Sequence, residues 1–386
     1  MDAIYLDNAA TTPMHPEVLE AMLPYFREHY GNPSSIHSFG RDARTALNRA
    51  RDGMAAILGC KPGELIYTSG GTESNNTAIF GAVSAAQAKR PGVRPHIVTT
   101  AVEHHAVLHP CERLEQLGCD VTYVAADSSG LVNASDVEAA LRPETALISV
   151  MYVNNEVGTV QPIEAIGTIA RERGIPFHVD AVQALGKLPL KLDELPVDLM
   201  SLSAHKIYGP KGVGLLYMRS TLAFPPYLYG GNQERKRRSG TENVAGIVGF
   251  AKAAQLFAQD VAANNAAIER LRDTLLQRLA AALGPDGFAV SGHPVHRVPH
   301  IINISFFGLD TETLLMNLDL EGVAASSGSA CTAGSLETSH VLQAMNLPDE
   351  VTRTAIRFSL GLGNSIPQVE KVADIIATIR RRLTYR

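Results

Sequence analysis

The chain has 386 residues, 45% of them hydrophobic and 19% charged, with a formal net charge of -5. That size and balance fit a soluble globular protein with room for two domains and exclude a disordered chain. The acidic balance gives no general attraction to nucleic acid or anionic lipid, so small molecules and other proteins are the expected partners.

In chain order, Met1 to Asp7 is acidic and lacks the basic start and apolar core of a signal peptide, and no apolar run reaches 18 residues. Neither export nor membrane insertion is expected. Between Gly63 and Met218, short apolar runs alternate with helical stretches: Glu64 to Thr68, His96 to Thr99, Val121 to Val124, Leu147 to Tyr152, Pro176 to Val179 and Val197 to Leu202. This alternation predicts an α/β fold with a mostly parallel sheet covered by helices. Ligands of such sheets collect beyond the carboxyl ends of the strands. The polar residues there are Ser69 to Asn76, Glu103 to His105, Asn154 to Glu156, Asp180 to Gln183 and Ser203 to Lys206. Helical spacing from Ala251 to Leu283 then leads toward a smaller α/β domain, with strands expected at Arg297 to Ser305 and Thr354 to Ser359.

Several of these positions suit a phosphorylated aldehyde cofactor. Lys206 ends a strand between hydroxyl and imidazole groups, as an amine condensing with an aldehyde requires, although two solvated lysines in a surface turn would read the same way. Gly70, Gly71 and Thr72 open a helix whose first amides could converge on an anion, or Thr72 is an ordinary cap. Asp180 places a carboxylate where it could keep a pyridine nitrogen protonated, and Gln183 follows one helical turn later. His104 could stack on a flat cofactor and move protons; His105 and His109 share a helix face, but no third ligand stands nearby for zinc.

Among the cysteines, Cys60, Cys111 and Cys119 have the surroundings of packing residues. Cys331 lies in Ser326-Ser-Gly-Ser-Ala-Cys331-Thr-Ala-Gly-Ser335, where small neighbours leave the thiol able to move and react. No C-x-x-C pair is present, and a reduced, cytoplasmic setting is expected. The basic run Arg235 to Arg238 suggests a phosphate contact or a subunit interface. Arg357, in mid-strand, needs either a substrate carboxylate or an internal acid.

Taken in order, these segments resemble the cysteine desulfurases of the nitrogen-fixation and iron-sulfur-cluster type, among the fold-type I pyridoxal phosphate enzymes. The motifs that carry the resemblance are Tyr5 to Pro13, Thr68 to Ser74, Thr100 to His104, Val153 to Glu156, His178 to Gln183, Ser203 to Gly212, Arg238 to Asn243 and Ser326 to Cys331. The resemblance implies a large domain, residues 15–261, with a mostly parallel seven-stranded sheet, and a small α/β domain from residues 1–14 and 262–386. It implies pyridoxal 5'-phosphate held by Lys206 rather than Lys211, with His104 on the ring, Asp180 at its nitrogen and Gln183 at its oxygen. Gly71, Thr72, Ser203 and His205 would bind the phosphate, joined by Thr241 from the other subunit of a homodimer, and Asn155 and Arg357 would hold the substrate carboxylate. Ala204 departs from the glycine many relatives carry there.

The implied reaction takes sulfur from L-cysteine onto Cys331 as a persulfide, with Lys206 or His104 returning a proton to give L-alanine. The sulfur would pass to an iron-sulfur scaffold or a tRNA-thiolation enzyme. No resident metal is expected, although Cys331 could transiently share an iron-sulfur cluster with a scaffold. The chain stops at Arg386, short of the extension by which some members dock their scaffold, which leaves the acceptor open. A selenocysteine lyase, a transaminase and a silent scaffold are the competing readings.

Overall fold

The computed structural model describes residues 3–258, 260–328 and 338–384. In chain order its strands are β1 (Ile4–Tyr5), β2 (Leu65–Thr68), β3 (His96–Thr100), β4 (Asp120–Val124), β5 (Thr145–Met151), β6 (Phe177–Asp180), β7 (Leu199–Ser203), β8 (Gly214–Met218), β9 (Phe288–Ser291), β10 (Ile301–Phe306), β11 (Val323–Ala324) and β12 (Ala355–Ser359). The seven-stranded sheet has the order β2-β8-β7-β6-β5-β3-β4. Pairs β3–β4, β3–β5, β5–β6 and β6–β7 are parallel, while β8 runs antiparallel to both its neighbours. The turn from Ser203 to Gly214 is too short for the helical crossover that a parallel strand needs, so the chain returns as a hairpin.

Successive residues of these strands enter different cores, which is why they read as continuous apolar runs rather than alternating ones. Leu65, Val98, Ile148 and Met200 join one cluster; Ile66, Ile97, Leu147 and Leu199 join the cluster on the other face. A third cluster forms around the three-stranded sheet β12-β10-β9, where Ile302, Ile304, Ile356 and Phe358 pack with Ile4 and Leu6. The Ala251 to Leu283 stretch is two helices, Val244–Phe257 and Val261–Leu283, the second capped by Asp260, whose side chain accepts from Ala263 N–H. Ile268, Leu271, Leu275 and Leu279 of that helix pack on Val369, Val372 and Ile376 of the C-terminal one. Among the described residues no helix is long and apolar enough to cross a membrane.

His178 of β6 lies within the sheet, its Nδ1 2.8 Å from Ser149 Oγ on β5 and its Nε2 3.0 Å from Ser201 Oγ on β7. Burial pushes the imidazole down to about 3. Below the ordinary histidine pKa of about 6.5, the unfolded chain takes a proton that the folded one refuses until about 3. Stability is therefore complete above pH ~6.5 and falls as pH drops through that window. The stability advantage of the wild type over His178→Asn, from denaturant titrations, is expected to shrink by a few kcal/mol between pH 7 and 4. An advantage unchanged with pH would mean that the buried ring titrates normally.

Candidate active site

Strands β3, β5, β6 and β7 end at one rim of the sheet, and helix Gly71–Lys89 begins there after β2. A cavity of about 310 Å³ opens at this rim and is lined by Gly71, Thr72, His104, Asn155, Asp180, Gln183, Ser203, His205, Lys206 and Arg357. Residues drawn from most of the chain thus meet in one place. A larger open groove of about 920 Å³, against helices Ser38–Leu58 and Val244–Phe257, shares none of these residues.

Lys206 sits on the tight turn after β7, where its Nζ donates to the carbonyl oxygens of Ala9 at 2.5 Å and Ala10 at 2.8 Å. Gln183 Nε2 also donates to Ala9 O, at 2.9 Å. Asp180, at the end of β6, accepts from Asn75 Nδ2 at 2.6 Å and from Val182 N–H at 3.0 Å. Those neutral donors and the nearby Lys206 charge favour the carboxylate, but burial outweighs them and pushes the group above the usual carboxylate range. A cation placed in the cavity beside Asp180 would restore the balance.

His104 caps helix His105–Gln116, its Nδ1 accepting from Ala106 N–H at 3.0 Å. An acceptor nitrogen carries no hydrogen, so the neutral ring has its proton on Nε2. Burial, reinforced by the Lys206 charge, pushes this imidazole down to about 4, and it stays neutral near pH 7. His205 is likewise pushed down to about 4 by burial and lies 3.1 Å from Thr11 Oγ1 through Nδ1. Helix Gly71–Lys89 has Gly70 as its cap, with no side chain to occupy the first amides, so these remain available to an anion. A Cβ built on Gly71 would come 2.6 Å from Val182 Cγ2, so the backbone approaches its neighbour as only glycine can.

Of the two partners expected for Arg357, the structure shows the internal acid. Its Nη2 pairs with Asp7 Oδ1 at 2.9 Å and its Nη1 donates to Asn155 O at 2.9 Å, while the guanidinium still lines the cavity. Each Nη spends one hydrogen on these contacts and keeps another for a ligand. Asn155 Oδ1 is buried with no hydrogen-bond partner among the described residues.

Other positions fall elsewhere. Thr241 lines a separate cavity of about 150 Å³ with Thr68, Ser69 and Arg238. In the basic run, Arg238 forms a two-pronged pair with Glu73 at 2.8 and 3.1 Å, and Arg237 donates to Leu65 O. His105 stacks on His109 at 4.8 Å, and no three ligand-type side chains among the described residues form a metal cluster. Cys331 lies outside the described residues. Cys60 is pushed up to about 12 by burial, aided by Glu64 and Asp193, and burial raises Cys111 and Cys119 as well.

The sequence reading assigned no role to Asn75, to the Ala9 and Ala10 carbonyls or to His340. Asn75 offered one signal, its place in the polar stretch Ser69 to Asn76, but nothing that named its partner. Glu103 accepts from Thr100 Oγ1 and Met151 N–H beneath the cavity, and burial pushes its carboxyl up to about 8.

The chain resembles known proteins along nearly its full length. A family model described as aminotransferase class-V matches residues 4–372. The cysteine desulfurase IscS of Dictyoglomus turgidum is 47% identical across 98% of this chain and 95% of its own length. A solved NifS-like protein aligns with a TM-score of 0.91 at 36% identity, over 99% of this chain and 100% of that one. The structure titled SspA in complex with cysteine gives 0.82 at 38% identity, over 92% of this chain and 98% of its own. Matches of this extent span nearly the whole chain, and the chain belongs to the class-V aminotransferase family, among its IscS- and NifS-like cysteine desulfurases.

Proposed function

We propose that the protein is a pyridoxal 5'-phosphate enzyme that takes sulfur from L-cysteine, releases L-alanine and holds the sulfur as a persulfide on Cys331 for an acceptor protein. The observation that carries this reading is the convergence on one cavity of Lys206 and a buried Asp180 whose hydrogen bonds do not offset its burial. The cofactor is a flat ring with a basic nitrogen, a phenolic oxygen, an aldehyde and a phosphate. Asp180 suits the protonated nitrogen, Gln183 the ring oxygen and His104 the ring face. Gly71, Thr72, Ser203 and His205, with Thr241 of the partner subunit, suit the phosphate, and Asn155 reaches both cofactor and substrate.

When bound, the cofactor draws the electrons released at the substrate α-carbon into its protonated ring. Lys206 is the amine for its aldehyde and, when free, the base that moves the α-proton. The spare Nη hydrogens of Arg357 and the side chain of Asn155 hold the substrate carboxylate and fix the sulfur in place. Cys331 thiolate forms the S–S bond as the C–S bond breaks. The electron pair passes to the substrate carbon, and a proton from Lys206 or His104 completes L-alanine. An acceptor thiol then attacks the outer sulfur of the persulfide.

Residues 15–261 would form the cofactor-binding domain, and residues 1–14 with 262–386 the smaller one. The assembly is read as a homodimer in the cytoplasm, and the acceptor as an iron-sulfur scaffold or a tRNA-thiolation enzyme. Incubation with L-cysteine and a thiol reductant is expected to release alanine and sulfide in equal amounts. Release of neither would overturn the reading, and amine loss that depends on a keto acid would favour a transaminase.

A further inference from the structure

Arg357 Nε is buried and has no hydrogen-bond partner among the described residues, although both Nη atoms are engaged. Directly opposite Arg357 in the β10–β12 ladder stands Asn303, fully buried, with Oδ1 and Nδ2 also unpartnered among those residues. Residues that face each other across an antiparallel pair project to the same side of the sheet, about 5 Å apart. The alternate positions Ile302, Ile304, Ile356 and Phe358 turn into the apolar cluster on the other side. Asn303 and Arg357 therefore share the face toward the cavity. Ser291 of β9, also buried, flanks Asn303 in the same register.

Three unspent polar atoms thus lie on two neighbouring residues. Buried polar groups in native proteins are satisfied by protein or by ordered water, and a charged donor is the least tolerable exception. Arg357 lines the cavity, but its Nε is sealed from solvent and both Nη atoms already have protein partners, so a buried water is the partner that suits Nε. No direct bond joins Nε to Asn303, yet together they offer the two or more partners that a buried water needs.

We propose that Asn303 is a positioning residue for Arg357: through a water buried between β10 and β12, its amide oxygen accepts from Arg357 Nε and keeps the guanidinium fork turned to the substrate carboxylate. This rests on the reading that Arg357 binds that carboxylate. Asp7 and Asn155 O hold only the Nη end, so without Asn303 the fork is free to tilt about them. The loss should appear in affinity for carboxylate-bearing ligands and nowhere else.

The test uses the full-length, cofactor-loaded protein and two amines that differ only by the carboxylate, L-alanine and ethylamine, with binding read from the visible absorbance of the cofactor. Asn303→Leu is expected to weaken L-alanine about tenfold and leave ethylamine unchanged. Asn303→Asp, which keeps an acceptor, should retain most of the L-alanine affinity. Equal weakening of both amines, or of neither, would overturn the proposal. Should Asn303→Leu fail to fold by thermal unfolding, Asn303→Ala is judged by the same comparison. Arg357→Gln separates the two levels. If it spares L-alanine binding, the carboxylate reading fails and takes the proposal with it; if it abolishes binding while Asn303→Leu changes nothing, only the role of Asn303 falls. A crystal structure of the wild type should show water within hydrogen-bond reach of Arg357 Nε and the Asn303 amide, and a dry gap there would count against it.

Discussion

Lys206→Ala is expected to lose the covalent hold on the cofactor and to reduce turnover of L-cysteine by at least about 10²–10⁴-fold, the range associated with a positioned proton-transfer group. The chain offers a second lysine five residues on, and geometry separates the two. Lys206 Nζ is anchored on the Ala9 and Ala10 carbonyls inside the cavity that holds Asp180, whereas Lys211 is exposed and lines no part of it. Borohydride reduction followed by peptide mapping should place the cofactor on the Lys206 peptide in the wild type and nowhere in the variant. Attachment at Lys211 in the wild type would reverse the assignment. A second effect follows from charge. The Lys206 ammonium lowers both His104 and Asp180, so its removal should raise the pKa of each. For His104 the shift is measurable by NMR titration, and an unmoved imidazole would mean that the two groups are further apart in solution.

Much of this site was legible because each strand end carries its own chemistry. Runs such as Val197 to Leu202 and Pro176 to Val179 are short and mostly apolar, and the polar residue that follows each, Ser203 or Asp180, lines the cavity. Strand β9 was not foreseen, since Phe288–Ser291 is only four residues long and mostly only partly buried, so its apolar run is too short to mark a strand. The Ala251 to Leu283 stretch reads as long helices, but its apolar spacing does not say where one ends, which the cap at Asp260 does. Two further features had no sequence signature. The Ala9 and Ala10 carbonyls act through backbone, which any residue carries, and the Asp7–Arg357 pair joins positions 350 residues apart. Spacing informs about neighbours along one element, but pairings across the fold depend on topology.

Cys331→Ala is expected to abolish sulfide and alanine release from L-cysteine, by a factor of about 10³ or more as for other covalent nucleophiles, while cofactor and substrate binding persist. The chain has four cysteines. Cys111 and Cys119 are buried in the cluster behind the sheet, Cys60 lies beside Glu64 and Asp193, and in all three burial favours the thiol over the thiolate. None of them lines the cavity. Gly328, which opens the sequence segment that carries Cys331, does line it. A bound cofactor would take up the electron pair left on the substrate carbon, but the sulfur would still need a nucleophile, and none of the other three thiols lines the cavity. The decisive measurement is a comparison of alanine yield with cofactor absorbance in the variant. Normal absorbance on adding L-cysteine with no alanine would assign sulfur capture to Cys331. Alanine at the wild-type rate would mean that the carbon–sulfur bond breaks without a protein thiolate, and the lyase reading would replace the desulfurase one.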